Sequence, residues 1–425
     1  MLAVTPFIPL SELAFRRQKI ADLLPKSSLV ILPANPILTR NSDIELPFRQ
    51  ESMFWYFTGI NQPNACLSIY KDMRGVTEFS LHIEDINEEL EIWNGKRMRV
   101  EEASSVSGLS SVFYISEQCD QIPHLLNKAR SLWVTAGHNA NHVLHHFFPQ
   151  IAVNKKLNSV SIKRALSQLR MYKSDWEIEQ LIHSANLNIS AHQATKKLLD
   201  SAANLSEFHL QAELEYYWKR VGCTFSYPAI VAAGNNATTL HYVQNTSPIS
   251  PADLVLIDAG CEYNYYASDI TRTWSQSQAS SAQKAIVDAV QKAHTAALFI
   301  TNQQGSSILD VHKAATLSLI DSLIELKLLP GTKAEILESG SYAEFWPHST
   351  SHWLGLDTHD FGQYKNESSQ SIQLEQGLIF TIEPGLYIPQ TADVPKEFQG
   401  IGVRLEDNIA ITKTGAVNLT SHLEC

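Results

Sequence analysis

Residues 254–274 constrain the fold most, because they contain two β-prone runs joined by a short polar and aromatic link. The first run ends in Asp258 and the second begins at Asp269, a pattern that predicts an antiparallel hairpin. If the turn is centred on Tyr263 and Asn264, the two aspartates face each other. Directly opposed like charges destabilise a hairpin, so the pair would need a proton or a bound cation between them. The alternative is a different register, in which one aspartate only caps the turn.

Two further carboxylates lie at or within β-prone runs towards the carboxyl end. Glu383 directly follows the apolar run 378–382, and Glu406 lies within the run 403–411. Side chains alternate between the faces of a strand, so Arg404 and Glu406 are expected to share one face. The alternative for Glu406 is a solvent-facing position on a half-exposed strand, although the run Gly-Ile-Gly-Val-Arg-Leu-Glu-Asp around it is unusually specific.

Histidines cluster in the same part of the chain. His348, His352 and His359 fall within residues 346–360, and His241 lies in the sequence Thr-Leu-His-Tyr. An isolated histidine is more often a core or surface residue than a ligand. Three close together beside several carboxylates favour a site, but the pattern does not decide which of them binds metal.

The residue types indicate which metals such a site would hold. Four carboxylates with one or two histidines are hard, oxygen-rich ligands that suit Mn²⁺, Fe²⁺ or Co²⁺ better than a structural zinc site. Four negative charges also exceed what one divalent ion would neutralise. Two ions about 3.5–4 Å apart would match the charge better.

The composition excludes two kinds of partner. The 425 residues are 44% hydrophobic and 18% charged, which is typical of a folded chain of two or three domains. A net charge of −11 argues against nucleic acid and against anionic membrane surfaces. The five cysteines are scattered, no secretory signal is visible, and no apolar run reaches about 20 residues, so we expect a cytoplasmic location.

The pattern of elements predicts two domains. Residues 1–165 alternate short apolar strands with helical stretches, which predicts an α/β amino-terminal domain. A locally basic connector near residues 153–173 marks the expected boundary. Residues 166–425 open with a capping box at Ser174 and Glu177 and continue with long helices beside strand-like runs, which predicts an α+β domain.

Four stretches of the second domain, taken in order, resemble the metal-site blocks of aminopeptidase P, a family of pita-bread metallopeptidases. They are LIDAGCEYNYYASDITRTW, SHWLGLDTHD, TIEPGLY and GIGVRLED. The stretch FRQESMFWYFTG is similar to the amino-terminal domain of the same family. The resemblance therefore extends from about residue 40 to about residue 420 and implies an α/β amino-terminal domain followed by a pita-bread catalytic domain.

The resemblance implies a role for each candidate residue. The implied metal ligands are Asp258, Asp269, His352, Glu383 and Glu406. Of these, Asp269 and Glu406 would bridge two ions. Glu383 would also move a proton during catalysis. The residues that match the family's substrate-binding and outer positions are His241, His348, His359 and Arg404. One departure is visible, because Ser349-Thr350 stands where the family usually has Gly-Leu.

The resemblance also implies an activity. A hydroxide bridging two divalent ions, expected to be Mn²⁺, would hydrolyse the bond between an N-terminal residue and a following proline in a peptide. The alternatives are a prolidase that acts on Xaa-Pro dipeptides, or a non-catalytic binding protein with the same fold. A homo-oligomer, dimer or tetramer, is expected, with an interface near Trp55 or near Trp93.

Overall fold

The structure, a computed structural model, describes residues 7–118, 121–134, 159–275 and 278–423. The chain divides into two units, one ending at Leu169 and the other beginning at Arg170. We name them the amino-terminal unit and the carboxy-terminal unit. This division falls within the helix Ser159–Met171, and the predicted division between residues 165 and 166 falls in the same helix and remains a prediction.

The amino-terminal unit contains a five-stranded mixed sheet with helices. Its elements are α1 (Leu10–Leu23), β1 (Ser28–Pro33), β2 (Thr39–Asn41), β3 (Ile44–Glu45), α2 (Ser52–Thr58), β4 (Cys66–Lys71), β5 (Thr77–Ile83), α3 (Glu88–Asn94), α4 (Val100–Ser107), β6 (Val112–Tyr114), α5 (Gln121–Lys128) and β7 (Ser131–Val134). The sheet order is β6-β5-β4-β1-β7. Each edge strand is parallel to its neighbour, β6 to β5 and β7 to β1, and the inner pairs β5-β4 and β4-β1 are antiparallel. The predicted mixture of strands and helices is confirmed here.

The carboxy-terminal unit follows α6 (Ser159–Met171) and combines long helices with antiparallel strands. Its elements are α7 (Asp175–Ser201), α8 (Glu207–Arg220), β8 (Thr224–Phe225), β9 (Ile230–Ala233), β10 (Leu254–Ala259), β11 (Cys261–Tyr263), β12 (Tyr266–Ala267), β13 (Ile270–Ser275), α9 (Ser281–Thr301), α10 (Ile308–Glu325), α11 (Lys333–Ser339), β14 (Ile379–Ile382), β15 (Gly385–Ile388), β16 (Ile401–Arg404), β17 (Asp407–Thr412) and β18 (Gly415–Asn418). The predicted capping box begins α7, because the Ser174 hydroxyl accepts from the Glu177 N–H and the Glu177 carboxylate accepts from the Ser174 N–H. The predicted α+β class is confirmed.

Apolar helix faces cover the strands that carry the candidate residues. Leu214 and Trp218 on α8 belong to one buried cluster with Val255 and Ile257 on β10. A second cluster joins α10 to β14 and β17, and a third joins α9 and α10 to β15 and β16. Burial of apolar surface at about 25 cal/mol per Å² stabilises this packing, so the strands beneath the site have fixed positions.

The predicted hairpin is present, but its predicted register was wrong. Strand β10 pairs with β13 so that Asp258 lies opposite Thr271 and not opposite Asp269. The turn is centred one residue later than predicted, on Asn264 and Tyr265, whose φ values are +49° and +64°. Two positive φ values are what a tight type I′ hairpin requires, and a tyrosine there is uncommon, so the composition did not indicate the register.

The predicted strand 403–411 is two strands. Strand β16 ends at Arg404 and pairs with β15, whereas β17 begins at Asp407 and pairs with β14. Leu405 and Glu406 form the break between them. The two strands have different partners, and Glu406 lies at the point where the chain passes from one partner to the other.

Two whole-chain expectations concern membranes and cysteines. Among the described helices, none combines the length and the apolar character needed to span a bilayer. Cys66, Cys223 and Cys261 are buried free thiols. The remaining two cysteines lie outside the described residues.

Candidate metal centre

The hairpin brings two aspartates to one phenol. The Tyr227 hydroxyl lies 2.5 Å from Asp258 Oδ1 and is also hydrogen-bonded to Asp269 Oδ1. A phenol has one proton to donate, so it can donate to only one carboxylate oxygen at a time. The two acidic groups therefore converge as predicted, although a different register and an intervening tyrosine bring them together.

In the part of the chain that the structure describes, one backbone pair joins the hairpin to the carboxy-terminal strands. Glu406 N–H donates to Thr271 O at 3.0 Å, and the Thr271 hydroxyl donates to Glu406 Oε2 at 2.7 Å. Two residues further along, the Thr273 hydroxyl replaces the backbone pair, because it donates to Arg404 O at 2.9 Å and accepts from Arg404 N–H at 3.2 Å. The strands are therefore held apart there by one side chain.

The same substitution of side chain for backbone occurs on the other flank. Asn408 Oδ1 accepts from the Asp269 N–H at 3.2 Å, and Asn408 Nδ2 donates to Asp269 O. Asp269 thereby has its backbone groups satisfied without a neighbouring strand. Its carboxylate is left to face the candidate site.

A third segment carries His352 beside β14. His352 O accepts from Thr381 N–H at 3.0 Å, and Trp353 pairs with Phe380. The Thr381 hydroxyl contacts both sides of the site, since it accepts from His352 N–H at 3.1 Å and donates to Glu383 Oε1 at 3.2 Å. These bonds set His352 and Glu383 side by side.

Three predicted ligands form a compact cluster. One ligand atom from each of Asp269, His352 and Glu406 lies within 4.8 Å of the others. His352 Nε2 is 3.3 Å from Asp269 Oδ2, 3.9 Å from Glu406 Oε1 and 3.6 Å from Glu383 Oε1. Asp258 is outside this cluster and is connected to it through Tyr227. Its Oδ2 lies 2.6 Å from Arg404 Nη2.

The orientation of His352 suits a metal ligand. Its Nδ1 lies 3.0 Å from Trp353 O, and a carbonyl only accepts, so Nδ1 carries a proton and donates. Nε2 then faces the carboxylates. Burial lowers the pKa of His352, but the hydrogen bond with Asp269 and the charge of Glu383 outweigh burial and raise that pKa to about 9. Without a metal, a proton on Nε2 offsets the negative charge around it.

The carboxylates are hard to ionise together. Burial raises the pKa of Glu383 to about 7, with the charge of Asp269 adding to the effect while His352 and Arg404 oppose it. Burial and the charge of Asp269 raise the pKa of Glu406 well above its usual range. Burial also raises the pKa of Asp258, against the opposing charge of Arg404. A divalent cation would offset the repulsion among these carboxylates, so the donor set fits the implied metal.

His348 lies at the edge of the cluster. Its Nδ1 is 2.9 Å from Ser349 O and 3.6 Å from Glu383 Oε2, and its Nε2 is 2.8 Å from Tyr387 Oη. Nδ1 must donate to the carbonyl, so Nε2 accepts from the tyrosine. Burial, followed by the charge of Arg404, lowers the pKa of His348 to about 3 and keeps the ring neutral.

The other two histidines are less enclosed. The rings of His359 and His352 contact edge to face at 4.4 Å between centroids. Burial lowers the pKa of His359, His352 and His241 lower it further, and the charge of Asp269 opposes them. His241 is exposed on the loop after β9, and it is among the groups that lower the pKa values of His348 and His359, which places it near this region.

Several residues at the site were missed by sequence reasoning. They are Tyr227, Thr271, Thr381, Tyr387 and Asn408. Tyr387 and Asn408 lie within or beside stretches that were singled out, but their hydroxyl and amide groups carried no separate signal. Tyr227 lies outside every stretch that the sequence singled out, so only the fold reveals it.

Comparison with known proteins gives the same picture. The sequence matches metallopeptidase family M24 over residues 179–413 and the aminopeptidase P N-terminal domain over residues 13–133. It is 34% identical to Xaa-Pro aminopeptidase of Escherichia coli (strain K12), with 96% of this chain and 94% of that protein covered. It is 33% identical to Xaa-Pro aminopeptidase of Haemophilus influenzae, with 99% and 96% covered.

A solved structure supports the fold assignment. Aminopeptidase P from E. coli with the inhibitor Pro-Leu matches with a TM-score of 0.88 at 33% identity, covering 98% of this chain and 96% of that one. The predicted α/β amino-terminal domain followed by a pita-bread domain is confirmed. The M24 match covers more than half of the chain, and the chain therefore belongs to metallopeptidase family M24.

Proposed function

We propose that the chain is an Xaa-Pro aminopeptidase, a hydrolase that releases the N-terminal residue from a peptide with proline in second position. The observation that supports this most is the largely buried cluster of Asp269, His352 and Glu406, in a chain whose relatives of nearly equal length are Xaa-Pro aminopeptidases. The scissile bond before proline is a tertiary amide without an N–H. A site that activates water and the carbonyl, and needs no amide proton, suits such a bond.

The proposed metal ligands are the five predicted residues. Asp269, His352 and Glu406 form the centre, Glu383 lies beside His352, and Asp258 joins through a rearrangement of its contacts with Tyr227 and Arg404. Two divalent ions, with Mn²⁺ favoured by the oxygen-rich donors, would supply Lewis-acid activation of water and of the scissile carbonyl.

Glu383 is the proposed proton carrier. Its carboxylate is largely buried, and in the metal-free protein burial raises its pKa to about 7, so it binds a proton more strongly than an ordinary glutamate does. Its Oε2 faces His348 Nδ1 at 3.6 Å. We assign Glu383 the transfer of a proton from the nucleophile towards the leaving proline nitrogen, and His348 a role in binding substrate beside it.

The remaining predicted residues would bind and orient the peptide. His359 beside His352, and His241 on the opposing loop, would donate hydrogen bonds to the carbonyl oxygen as negative charge develops on it. Arg404 holds Asp258 at 2.6 Å and also donates to Tyr387 Oη at 2.9 Å, so it orients one side of the site. The free N-terminal amine would pair with carboxylates of the site, which restricts cleavage to one residue.

Peptide hydrolysis with metal analysis tests the proposal. Protein reconstituted with Mn²⁺ should release the first residue of an Xaa-Pro-Yaa tripeptide and should contain about two ions per chain. Faster cleavage of an Xaa-Pro dipeptide than of the tripeptide would favour the prolidase alternative. Absence of both metal and cleavage would favour a non-catalytic binding protein and remove the proposal.

We propose that the protein is a cytoplasmic homo-oligomer. Trp93 on α3 has 84% of its surface exposed and Ile92 has 82%, so this segment offers an apolar surface to a second copy. Trp55 is fully buried and does not serve as an interface residue. Light scattering should give a particle mass that is a multiple of the 47.5 kDa chain mass. Trp93→Glu should lower that particle mass. The described free thiols support a reducing compartment.

A further inference from the structure

His312 on α10 is hydrogen-bonded to the segment that carries His348 and His352. Its Nδ1 lies 3.2 Å from the Thr350 N and 2.8 Å from Thr350 Oγ1. A backbone N–H only donates, so Nδ1 is the acceptor and the proton of the neutral ring is on Nε2. The Thr350 hydroxyl then also points its proton at Nδ1. Both polar donors of Thr350 therefore depend on one ring nitrogen.

Thr350 connects this nitrogen to the candidate metal centre. Thr350 is fully buried, and its carbonyl accepts from the Glu383 N–H at 2.9 Å. The residue is thus bonded to His312 on one side and to Glu383 on the other. A buried hydroxyl and N–H without an acceptor would be costly, so the histidine explains how a threonine is tolerated at this position.

His312 also borders the other end of the segment. Its ring stacks on Trp346 at 6.2 Å between centroids, and Trp346 in turn contacts the His348 ring at 4.3 Å. The Trp346 Nε1–H donates to Thr316 Oγ1, one turn along the same helix, at 3.3 Å. One turn of α10 therefore holds residues 346–350 at both ends.

We propose that His312 is a positioning residue, which through its Nδ1 and Thr350 fixes Glu383 and His348 for the reaction. The inference rests on the proposed function for its kinetic consequence, but the placement of the segment is testable without activity. Thr350 belongs to the Ser349-Thr350 pair that departs from the resembled family, and His312 on α10 is its hydrogen-bond partner.

Three substitutions separate the Nδ1 acceptor from the bulk of the ring. Asparagine places its Oδ1 where Nδ1 lies, glutamine places its oxygen nearer to Nε2, and leucine has no acceptor. If the acceptor matters, His312→Asn should retain function while His312→Gln and His312→Leu lose it. If only volume matters, the longer glutamine should do better than asparagine. Lys313→Gln, on the exposed side of the same helix, is the matched control.

The kinetic readout is kcat for an Xaa-Pro-Yaa peptide with Mn²⁺. We expect a loss of about fivefold or more for His312→Gln and His312→Leu, with KM nearly unchanged, and a loss within about twofold for His312→Asn and Lys313→Gln. The independent readout is amide hydrogen exchange of metal-free protein, which should become faster in residues 346–352 for the glutamine and leucine variants only. If His312→Leu does not fold, Thr350→Val takes its place, because it removes the hydroxyl donor at constant volume. Its loss of kcat should be smaller than that of His312→Gln.

Each result decides one question. If the asparagine variant loses as much kcat as the leucine variant, or the glutamine variant keeps it, the positioning inference is wrong. Unchanged hydrogen exchange in the glutamine and leucine variants overturns it as well. A wild-type protein that cleaves none of the peptides overturns the proposed function instead, and the exchange ranking then decides the inference about His312 without kinetics.

Discussion

Removal of metal should make the stability of this protein depend on pH in an unusual direction. Burial raises the pKa of Glu383 from its usual 4.5 to about 7 in the folded, metal-free chain. The folded state then holds a proton that the unfolded state has lost. The stabilisation is fully present below pH 4.5 and is lost as the pH rises through 7, and the rise in pKa corresponds to about 3 kcal/mol in the free energy of unfolding.

The assay is chemical unfolding of the chelated protein between pH 5 and pH 8. We expect wild type to lose stability over this range. Glu383→Gln has no ionisable group at this position and should lose about 2.5 kcal/mol less. Asp258 and Glu406 also have raised pKa values, so the variant retains part of the pH dependence. The comparison of the two proteins gives the contribution of Glu383 together with its effect on His352, whose pKa the charge of Glu383 helps to raise.

Addition of Mn²⁺ should reverse the trend. A divalent ion replaces the protons, so the stabilisation it gives should be larger at pH 8 than at pH 6. If wild type and Glu383→Gln lose stability in parallel without metal, Glu383 is not protonated in the folded chain. The reasoning about crowded carboxylates would then be refuted for this residue.

Three further substitutions test the framework around the site. Gly260→Ala should destabilise the chain by about 3 kcal/mol or more, because a Cβ there would lie 1.9 Å from Ser268 O, and a reduced urea midpoint would show it. Glu207→Gln should cost about 2–3 kcal/mol, because this buried carboxylate accepts four hydrogen bonds from the end of β9 and the loop after it; stability equal to wild type would contradict this. Asp407→Asn removes the charge paired with Arg272 at 2.7 Å in a buried site and should cost about 3–5 kcal/mol, measured by thermal unfolding against an exposed control such as Glu179→Gln.

The elements that were predictable are those with strong local patterns. The apolar run of β10, the capping box of α7 and the alternation in the amino-terminal unit each reflect periodicity or capping that nearby residues determine. The ligand types at Asp258, Asp269 and Glu383 were visible for the same reason, since each lies at the end of a run. Local chemistry was sufficient for these features.

What was missed depends on tertiary contacts. The hairpin register depends on Tyr265 adopting a positive φ, which its residue type disfavours. The break at Leu405 and Glu406 arises because β16 and β17 have different partner strands. Tyr227 and His312 act on residues far from them in sequence, so no local pattern could indicate either of them.

The junction between the hairpin and the last strands has a mechanical consequence. Among the described residues, the Thr271–Glu406 pair alone joins them through a direct backbone hydrogen bond, while Thr273 and Asn408 bridge the strands with their side chains on either flank. Arg272 adds hydrogen bonds to Glu406 O and to Asp407 Oδ1, so the junction depends on buried side chains and not on continuous strand pairing. Substitution of Thr273 or Asn408 would therefore weaken the contact between the two layers and leave the hydrogen bonds within each regular sheet in place.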